Sequence, residues 1–131
     1  MLAEPYIILE SFDVKLFDFS NISKIFAENT KNSDVVFLSG QVGAGKTEFA
    51  RQVIKAKATK EKLVLEEVSS PTFSLVQNYD FQHCKISHID LYRVSSEVEL
   101  FELGIPDIFD NQITLLEWPE VLVKTKLSRY V

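Results

Sequence analysis

Apolar and polar positions in the first third of the chain predict two short strands, a helix and a buried strand. The short strands are expected where β-branched and aromatic residues cluster, at Tyr6–Glu10 and Val14–Phe19. Ser20 is suited to cap a helix that ends near Asn29–Asn32. Its apolar positions recur at helical spacing: Ile22, Ile25 and Phe26. Asp34–Ser39 is nearly continuous in apolar residues, a pattern typical of a central strand covered on both faces.

The middle of the chain predicts a helix and then an antiparallel hairpin. Helical periodicity runs from Lys46 to about Lys57, and Leu63–Val68 is weakly strand-like. Two further β-type runs, Phe73–Tyr79 and Lys85–Leu91, are separated by a short turn. That spacing favours direct antiparallel pairing of the two strands.

The last third predicts one short helix and one buried strand. Ser96 followed by Glu99 forms a capping-box pattern that opens a helix through Leu103, and Gly104 ends it. Ile113–Leu116 predicts a final buried strand. Strands that alternate with helices in this way indicate an α/β fold, here a mixed sheet with a parallel centre and an antiparallel hairpin.

Composition is that of one globular domain covering residues 1–131. The chain is 46% hydrophobic and 25% charged, which is enough apolar material to bury a core. The net charge of −5 argues against a broad, non-specific nucleic-acid surface, although a partner could carry nucleic acid. The only arginines, Arg51, Arg93 and Arg129, are scattered, so no arginine-rich phosphate clamp is expected.

Residues that bear on the cell compartment predict a cytoplasmic protein without a membrane span. Cys84 is the only cysteine and cannot form an internal disulfide, which fits a reducing compartment. Glu4 and Pro5 stand where a secretory signal would need a basic start and a longer apolar run. No stretch approaches the ~18 apolar residues of a membrane span.

The most informative motif is a glycine-rich loop at Gly40–Thr47. Its sequence, GQVGAGKT, fits G-x-x-x-x-G-K-[ST] at every fixed position. A predicted strand precedes it and an amphipathic helix follows, so backbone N–H groups and the helix N-terminus would converge on a phosphate. The alternative is a glycine-rich turn with an incidental lysine. The pattern favours a P-loop NTPase-like, three-layer fold that binds a nucleotide.

Such a site also needs an acid at a strand end to hold a metal ion or its waters. Asp90 and Glu117 both follow apolar runs, and the carboxyl ends of parallel strands form the nucleotide-binding edge of α/β sheets. Glu117 could instead be a solvated strand end, and Asp90 could pair with Arg93 or cap a turn. His88 could help to position Asp90 or could be a structural histidine.

Together these segments closely resemble the TsaE (YjeE) family, whose members act in tRNA threonylcarbamoyladenosine biosynthesis. The matching stretches lie in the family's order across residues 35–120. They are LSGQVGAGKT (Leu38–Thr47), SPTFSLVQNY (Ser70–Tyr79), HIDLYR (His88–Arg93), ELFELG (Glu99–Gly104) and LEWPE (Leu116–Glu120). The loop alone indicates only a superfamily, whereas SPTF, HIDLYR and LEWPE taken together are much more specific.

The resemblance implies a set of site residues around ATP. The positions expected to contact the nucleotide are Gly43, Ala44, Gly45, Lys46, Thr47 and Glu48. Thr47 and Glu117 would be the ligands of Mg²⁺, while Lys46 and Asp90 would act in hydrolysis to ADP. Thr72 would lie in a switch segment near the γ-phosphate, and Trp118 would be required for activity or serve as a core indole.

The resemblance also implies partners. Related ATPases are weak alone and support a TsaD–TsaB complex that modifies the adenosine beside the tRNA anticodon, so tRNA would be reached indirectly. A small-molecule kinase is a second interpretation, but it should need an arginine-bearing lid. A third is an ATP-dependent assembly factor in which Asp90 and Glu117 only hold metal.

The sequence departs from the family pattern at three places. Gln41 replaces the usual acid after Gly40, which should matter little. Glu48 replaces a common second threonine, and we expect its carboxylate to repel an α-phosphate and weaken nucleotide binding. Relatives usually continue beyond the position of Val131 into strands that complete a sheet edge, so base selectivity is left open.

Overall fold

The protein has an α/β structure, a computed structural model that describes residues 16–65, 67–105 and 107–124. The helices are α1 (Leu16–Asn29), α2 (Lys46–Lys60), α3 (Glu97–Glu102) and α4 (Glu120–Lys124), with a 3₁₀ turn at Asp107–Phe109. The strands are β1 (Val35–Leu38), β2 (Val76–Asp80), β3 (Lys85–Asp90) and β4 (Ile113–Glu117).

The four strands form one mixed sheet in the order β1-β4-β3-β2. β4 pairs in parallel with both β1 and β3, whereas β2 and β3 form the antiparallel hairpin. β1, β4 and β3 therefore end at the same edge of the sheet. This edge carries the loop after β1 and the acids that end β3 and β4, which confirms the mixed α/β fold predicted from the sequence.

The sheet is covered on both faces, which makes the fold three layers deep. On one face, Ile86, Ile113 and Leu115 pack with Val53 and Ile54 of α2. The opposite face has its own cluster, which includes Ile89, Leu116, Leu100, Phe109 and Leu122. Burial on both faces is seen along the strands, since β3 is buried at every residue after Lys85 and β4 is buried throughout.

The first helix differs from the prediction. The predicted strand Val14–Phe19 is wrong for residues 16–19, which lie in α1, and Ser20 is inside the helix instead of capping it. The physical reason is packing, since α1 lies against α2 and the Phe26 ring meets Phe49 edge-on at a centroid distance of 5.4 Å. The helix ends at Asn29, as predicted. Tyr6–Glu10 lies outside the described residues.

Two strand predictions also need correction. In the described sheet β1 lies at an edge instead of the centre, because β4 inserts between β1 and β3. Residues 63–65 and 67–68 of the weakly strand-like segment Leu63–Val68 form no strand. Val64 is 88% exposed, Leu65 is half-buried against the first cluster and Val68 is buried, so the segment follows the surface with only some of its side chains packed on the core.

Other local predictions are confirmed. The hairpin forms with Val76 opposite Ile89, and Ser96 caps α3 by accepting a hydrogen bond from the Glu99 N–H at 3.3 Å. Gly104 has a φ of 83° beyond the end of α3, in the left-handed region that glycine tolerates. Within the described part of the chain, no helix is both long and apolar enough to cross a membrane.

Candidate functional site

The loop between β1 and α2 has the backbone shape of an anion cradle. Gly45 adopts a φ of 98° directly before the first residue of α2, a conformation that most side chains disfavour. A Cβ atom at Gly40 would approach the Cβ of Ala44 to 3.1 Å. The Ala44 N–H donates to the Gln41 carbonyl at 3.0 Å, which closes a turn within the loop. The first N–H groups of a helix lack intrahelical acceptors, so α2 begins with donors facing this loop.

Lys46 lies across the mouth of the loop. Its Nζ donates to the carbonyl oxygens of Gly40 at 2.7 Å and of Gln41 at 2.8 Å. The same ammonium is 4.1 Å from the centre of the Trp118 ring, a cation–π distance. The lysine charge is therefore held by carbonyls and an aromatic face, which an anion could displace.

Thr47 and Glu117, predicted together as metal ligands, are in direct contact. The Thr47 hydroxyl is 2.8 Å from Oε1 and 3.0 Å from Oε2 of the Glu117 carboxylate. Glu117 ends β4 and is only 2% exposed, so it is not the solvated strand end considered as an alternative. The hydroxyl of the loop and the buried acid thus converge at one point.

The donors at this point suit a hard cation. Mg²⁺ prefers oxygen ligands and is usually held by one or two carboxylates together with substrate phosphates and water. A hydroxyl and a carboxylate already in contact beside a phosphate-type loop supply that set of atoms. The residues present therefore fit the ion that the sequence predicted.

Asp90 lies beside Glu117, because the parallel register of β3 and β4 pairs these two residues. It is 6% exposed, and its Oδ1 accepts the Tyr92 N–H at 2.9 Å. Burial raises the pKa of Asp90, and the nearby Glu117 charge acts in the same direction, while the Tyr92 N–H, His88 and Lys46 oppose the rise. Among the described residues, Arg93 contacts the Phe73 ring at 4.6 Å, and no ion pair joins it to Asp90.

His88 is the site residue whose partner the sequence missed. Its Nε2 lies 2.7 Å from Glu117 Oε2, whereas the sequence predicted that His88 either positions Asp90 or has a structural role. His88 and Asp90 are two residues apart on one strand and so share a face. The sequence shows that His88 and Asp90 share a face, but it does not show that β4, which carries Glu117, is the neighbouring strand.

Trp118 follows Glu117 in a conformation that turns the chain. Its φ is 61°, and its N–H donates to the Leu38 carbonyl at the end of β1, at 3.3 Å. The indole lies 4.8 Å from the Tyr92 ring on one side and near the Lys46 ammonium. It is half-buried, and it packs against the buried cluster around Ile89 and Leu116 as well as next to the loop.

The predicted switch segment, Ser70–Phe73, adjoins the same edge of the sheet. The Thr72 side chain is exposed, and its hydroxyl is 2.7 Å from the Ser70 hydroxyl. Two residues after this segment, the Leu75 carbonyl accepts the Asp90 N–H at 2.9 Å. No hydrogen bond among the described residues joins Thr72 to the loop, so its predicted contact with phosphate stays a prediction.

A cavity of about 470 Å³ lies at the opposite end of the sheet. Its lining comes from the ends of α1 and α2 and from the hairpin turn, including Lys57, Glu61 and Cys84. Lys57 donates to the Thr30 carbonyl at 2.7 Å, and burial lowers its pKa. None of the predicted site residues lines this cavity.

Glu48, on the first turn of α2, turns toward its own helix. Its carboxylate is 3.8 Å from Arg51 and accepts from Gln52 at 3.4 Å, and the side chain is 43% exposed. Exposed pairs of this kind are weak, so Arg51 neutralises the acid only partly.

We expect Glu48→Thr to strengthen nucleotide binding about two- to fivefold, because an exposed like charge near a phosphate costs roughly 0.3–1 kcal/mol. Calorimetric titration with ADP measures the affinity. Glu48→Gln is the matched control, since it removes the charge and keeps the shape. Unchanged affinity in both variants would contradict the proposed repulsion.

Comparison with known proteins identifies the family of this chain. Residues 15–130 match the family model described as threonylcarbamoyl adenosine biosynthesis protein TsaE. The chain is 40% identical to the tRNA threonylcarbamoyladenosine biosynthesis protein TsaE of Rickettsia typhi over 102 residues, covering 78% of this chain and 68% of the relative. The TsaE of Aquifex aeolicus is 35% identical over 114 residues, covering 87% of this chain and 76% of the relative.

A solved structure supports the fold independently. The crystal structure of Bacillus subtilis YdiB superposes with a TM-score of 0.57 at 22% identity. The match covers 85% of this chain and 64% of the YdiB chain. At that identity the likeness concerns the fold alone, whereas the family model and the curated relatives establish descent. This chain belongs to the TsaE family of tRNA threonylcarbamoyladenosine biosynthesis proteins.

Proposed function

We propose that this protein binds ATP with Mg²⁺ on the loop Gly40–Thr47 and hydrolyses it to ADP, to support a TsaD–TsaB complex that forms threonylcarbamoyladenosine beside the tRNA anticodon. The observation that carries the proposal is the contact of the Thr47 hydroxyl with the buried Glu117 carboxylate at 2.8 Å. A loop hydroxyl and a strand-end acid are the two protein groups that hold the metal in P-loop NTPases.

The loop would supply most of the binding energy for phosphate. Backbone N–H groups of Gly43–Thr47 and the positive end of α2 favour negative charge at this position. The Lys46 ammonium already lies at the loop, on the carbonyls of Gly40 and Gln41. We expect it to exchange these acceptors for β- and γ-phosphate oxygens, since a charged acceptor makes the stronger hydrogen bond.

Glu117 and Asp90 would have different roles, metal binding and activation of water. Thr47 and Glu117 would hold Mg²⁺, which when bound would neutralise the negative charge that develops on the phosphates. Asp90, adjacent to Glu117 in the register, would orient the attacking water and accept its proton. Its raised pKa makes it a better proton acceptor than an exposed aspartate would be.

The aromatic and switch residues would link the nucleotide to partners. Trp118 contacts the Lys46 ammonium, so movement of this lysine toward phosphate would change the surroundings of the indole. Thr72 is exposed at the same edge, and Leu75 connects its segment to the Asp90 backbone. We propose that ordering of Ser70–Phe73 by the γ-phosphate signals the ATP state to TsaD and TsaB. tRNA would then be held mainly by the partners, in keeping with the net charge of −5.

Phosphate release from ATP with Mg²⁺ tests the proposal. The chain is assayed alone, with purified TsaD–TsaB, and with the complex plus tRNA, against the partners without the chain as control. We expect little release from the chain alone and clear stimulation by the complex. No release in any mixture would favour an assembly factor that does not hydrolyse ATP, and transfer of phosphate to a metabolite would favour a kinase.

A further inference from the structure

His88 is a buried side chain whose hydrogen bonding the proposed chemistry does not yet explain. It is fully buried in β3, on the face that carries Ile86 and lies against Leu115 of β4. Its Nε2 is 2.7 Å from Oε2 of Glu117, and its Nδ1 has no partner among the described residues. Among the described residues, the imidazole therefore makes one hydrogen bond, and its partner is Glu117.

We propose that His88 is a positioning residue for the metal-binding carboxylate of Glu117. An ionised carboxylate only accepts hydrogen bonds, so Nε2 carries the proton and donates it to Oε2. The Thr47 hydroxyl lies closest to the other oxygen, Oε1, at 2.8 Å. With Oε2 held from within the sheet, the carboxylate is fixed in the orientation that meets the loop. The assignment rests on the proposed function of the site.

A purely structural role explains the arrangement less well. Ile86 and Leu115, two of its neighbours on this face, are apolar and fully buried, while Gln77 of β2 pairs with it on the other side. An aliphatic side chain could fill this position, but it would leave the Glu117 carboxylate without the hydrogen bond from His88. Leaving Nδ1 without a partner in a buried position costs about 1–3 kcal/mol. A buried polar group retained at that cost is expected where its other polar atom makes a hydrogen bond that the site needs, here Nε2 with Glu117.

Glu117 needs a residue that orients its carboxylate because the glutamate side chain is flexible. Its side chain has three rotatable bonds, so a glutamate at a strand end without an outer partner could turn away from the metal. Outer-shell hydrogen bonds orient the ligands of metal sites, and their removal typically reduces metal affinity about 10- to 100-fold. Nothing in this role requires His88 to touch the nucleotide or the metal.

Nucleotide affinity with and without metal tests the proposal. ADP and ATP are titrated by calorimetry into the full chain and its variants, once with Mg²⁺ and once with EDTA. The measured quantity is the gain in affinity that Mg²⁺ provides. We expect His88→Met, which fills similar space and cannot donate, to reduce that gain about 10- to 100-fold. His88→Gln, whose amide nitrogen reaches the position of Nε2, should keep most of it.

The outcomes separate positioning from structure. An unchanged Mg²⁺-dependent gain in a folded His88→Met protein, or an equal loss in the Met and Gln variants, would overturn the assignment. If circular dichroism shows that His88→Met does not fold, His88→Gln is compared with His88→Asn, whose amide reaches only the Nδ1 position. The assignment then requires a loss in the Asn variant alone. A parent chain without nucleotide affinity would instead overturn the proposed function.

Discussion

Lys46→Met is expected to lower the affinity for ATP with Mg²⁺ about 100-fold or more. Hydrogen bonds to charged groups contribute about 1.5–3 kcal/mol each, and each 1.4 kcal/mol is about tenfold in affinity. The lysine is the cation that lies at the mouth of the loop, on the carbonyls of Gly40 and Gln41, and methionine keeps its length without its charge. Calorimetric titration of ATP measures the loss.

The matched control for this variant is Lys55→Met. Lys55 is exposed on the same helix, so the substitution removes one positive charge without altering the loop. We expect its ATP affinity to stay close to that of the parent chain. Equal affinity in the Lys46→Met and parent proteins would show that the loop does not bind triphosphate in the proposed way.

Asp90→Asn is expected to reduce stimulated phosphate release about 100-fold or more while leaving ATP affinity nearly unchanged. Proton transfer by a positioned side chain contributes roughly 10²–10⁴-fold to a rate. The asparagine oxygen can still accept the Tyr92 N–H, so the local backbone should be kept. Single-turnover hydrolysis with the partner complex gives the rate, and calorimetry gives the affinity. Asp80→Asn, on the exposed end of β2, is the control.

Asp90→Asn should also have a larger free energy of unfolding than the parent chain at neutral pH, in the absence of nucleotide and metal. Burial raises the pKa of Asp90 above its ordinary value of 3.8, so the folded state holds the proton more tightly than the unfolded state does. The stabilisation by protonated Asp90 is complete below pH 3.8 and is lost as the pH rises through the raised pKa. The difference in free energy of unfolding between variant and parent should therefore grow over that range. A difference independent of pH would contradict this account.

Local chemistry explains which parts of the fold could be predicted. The helix after Lys46, the hairpin and the Ser96 cap depend on residues within a few positions of one another, and all three are confirmed. The N-terminal boundary of α1 was wrong because packing against α2, which includes the Phe26–Phe49 contact, outweighs the β-propensity of Val14–Phe19. Among the described strands β1 lies at an edge instead of the predicted centre, because an apolar run does not reveal how many neighbours a strand has.

The sequence by itself determined the loop, since GQVGAGKT requires only glycine at the turns and a helix directly after them. It also marked Asp90 and Glu117 as acids at strand ends, but their positions along the chain did not say which acid the loop would meet, and only the family resemblance paired Glu117 with Thr47. The tertiary structure decided that point by inserting β4 between β1 and β3, which brings Thr47 and Glu117 into contact across 70 positions of the chain. The contact between His88 and Glu117 arises in the same way, because hydrogen bonds between strands depend on pairing and register, which local periodicity does not encode.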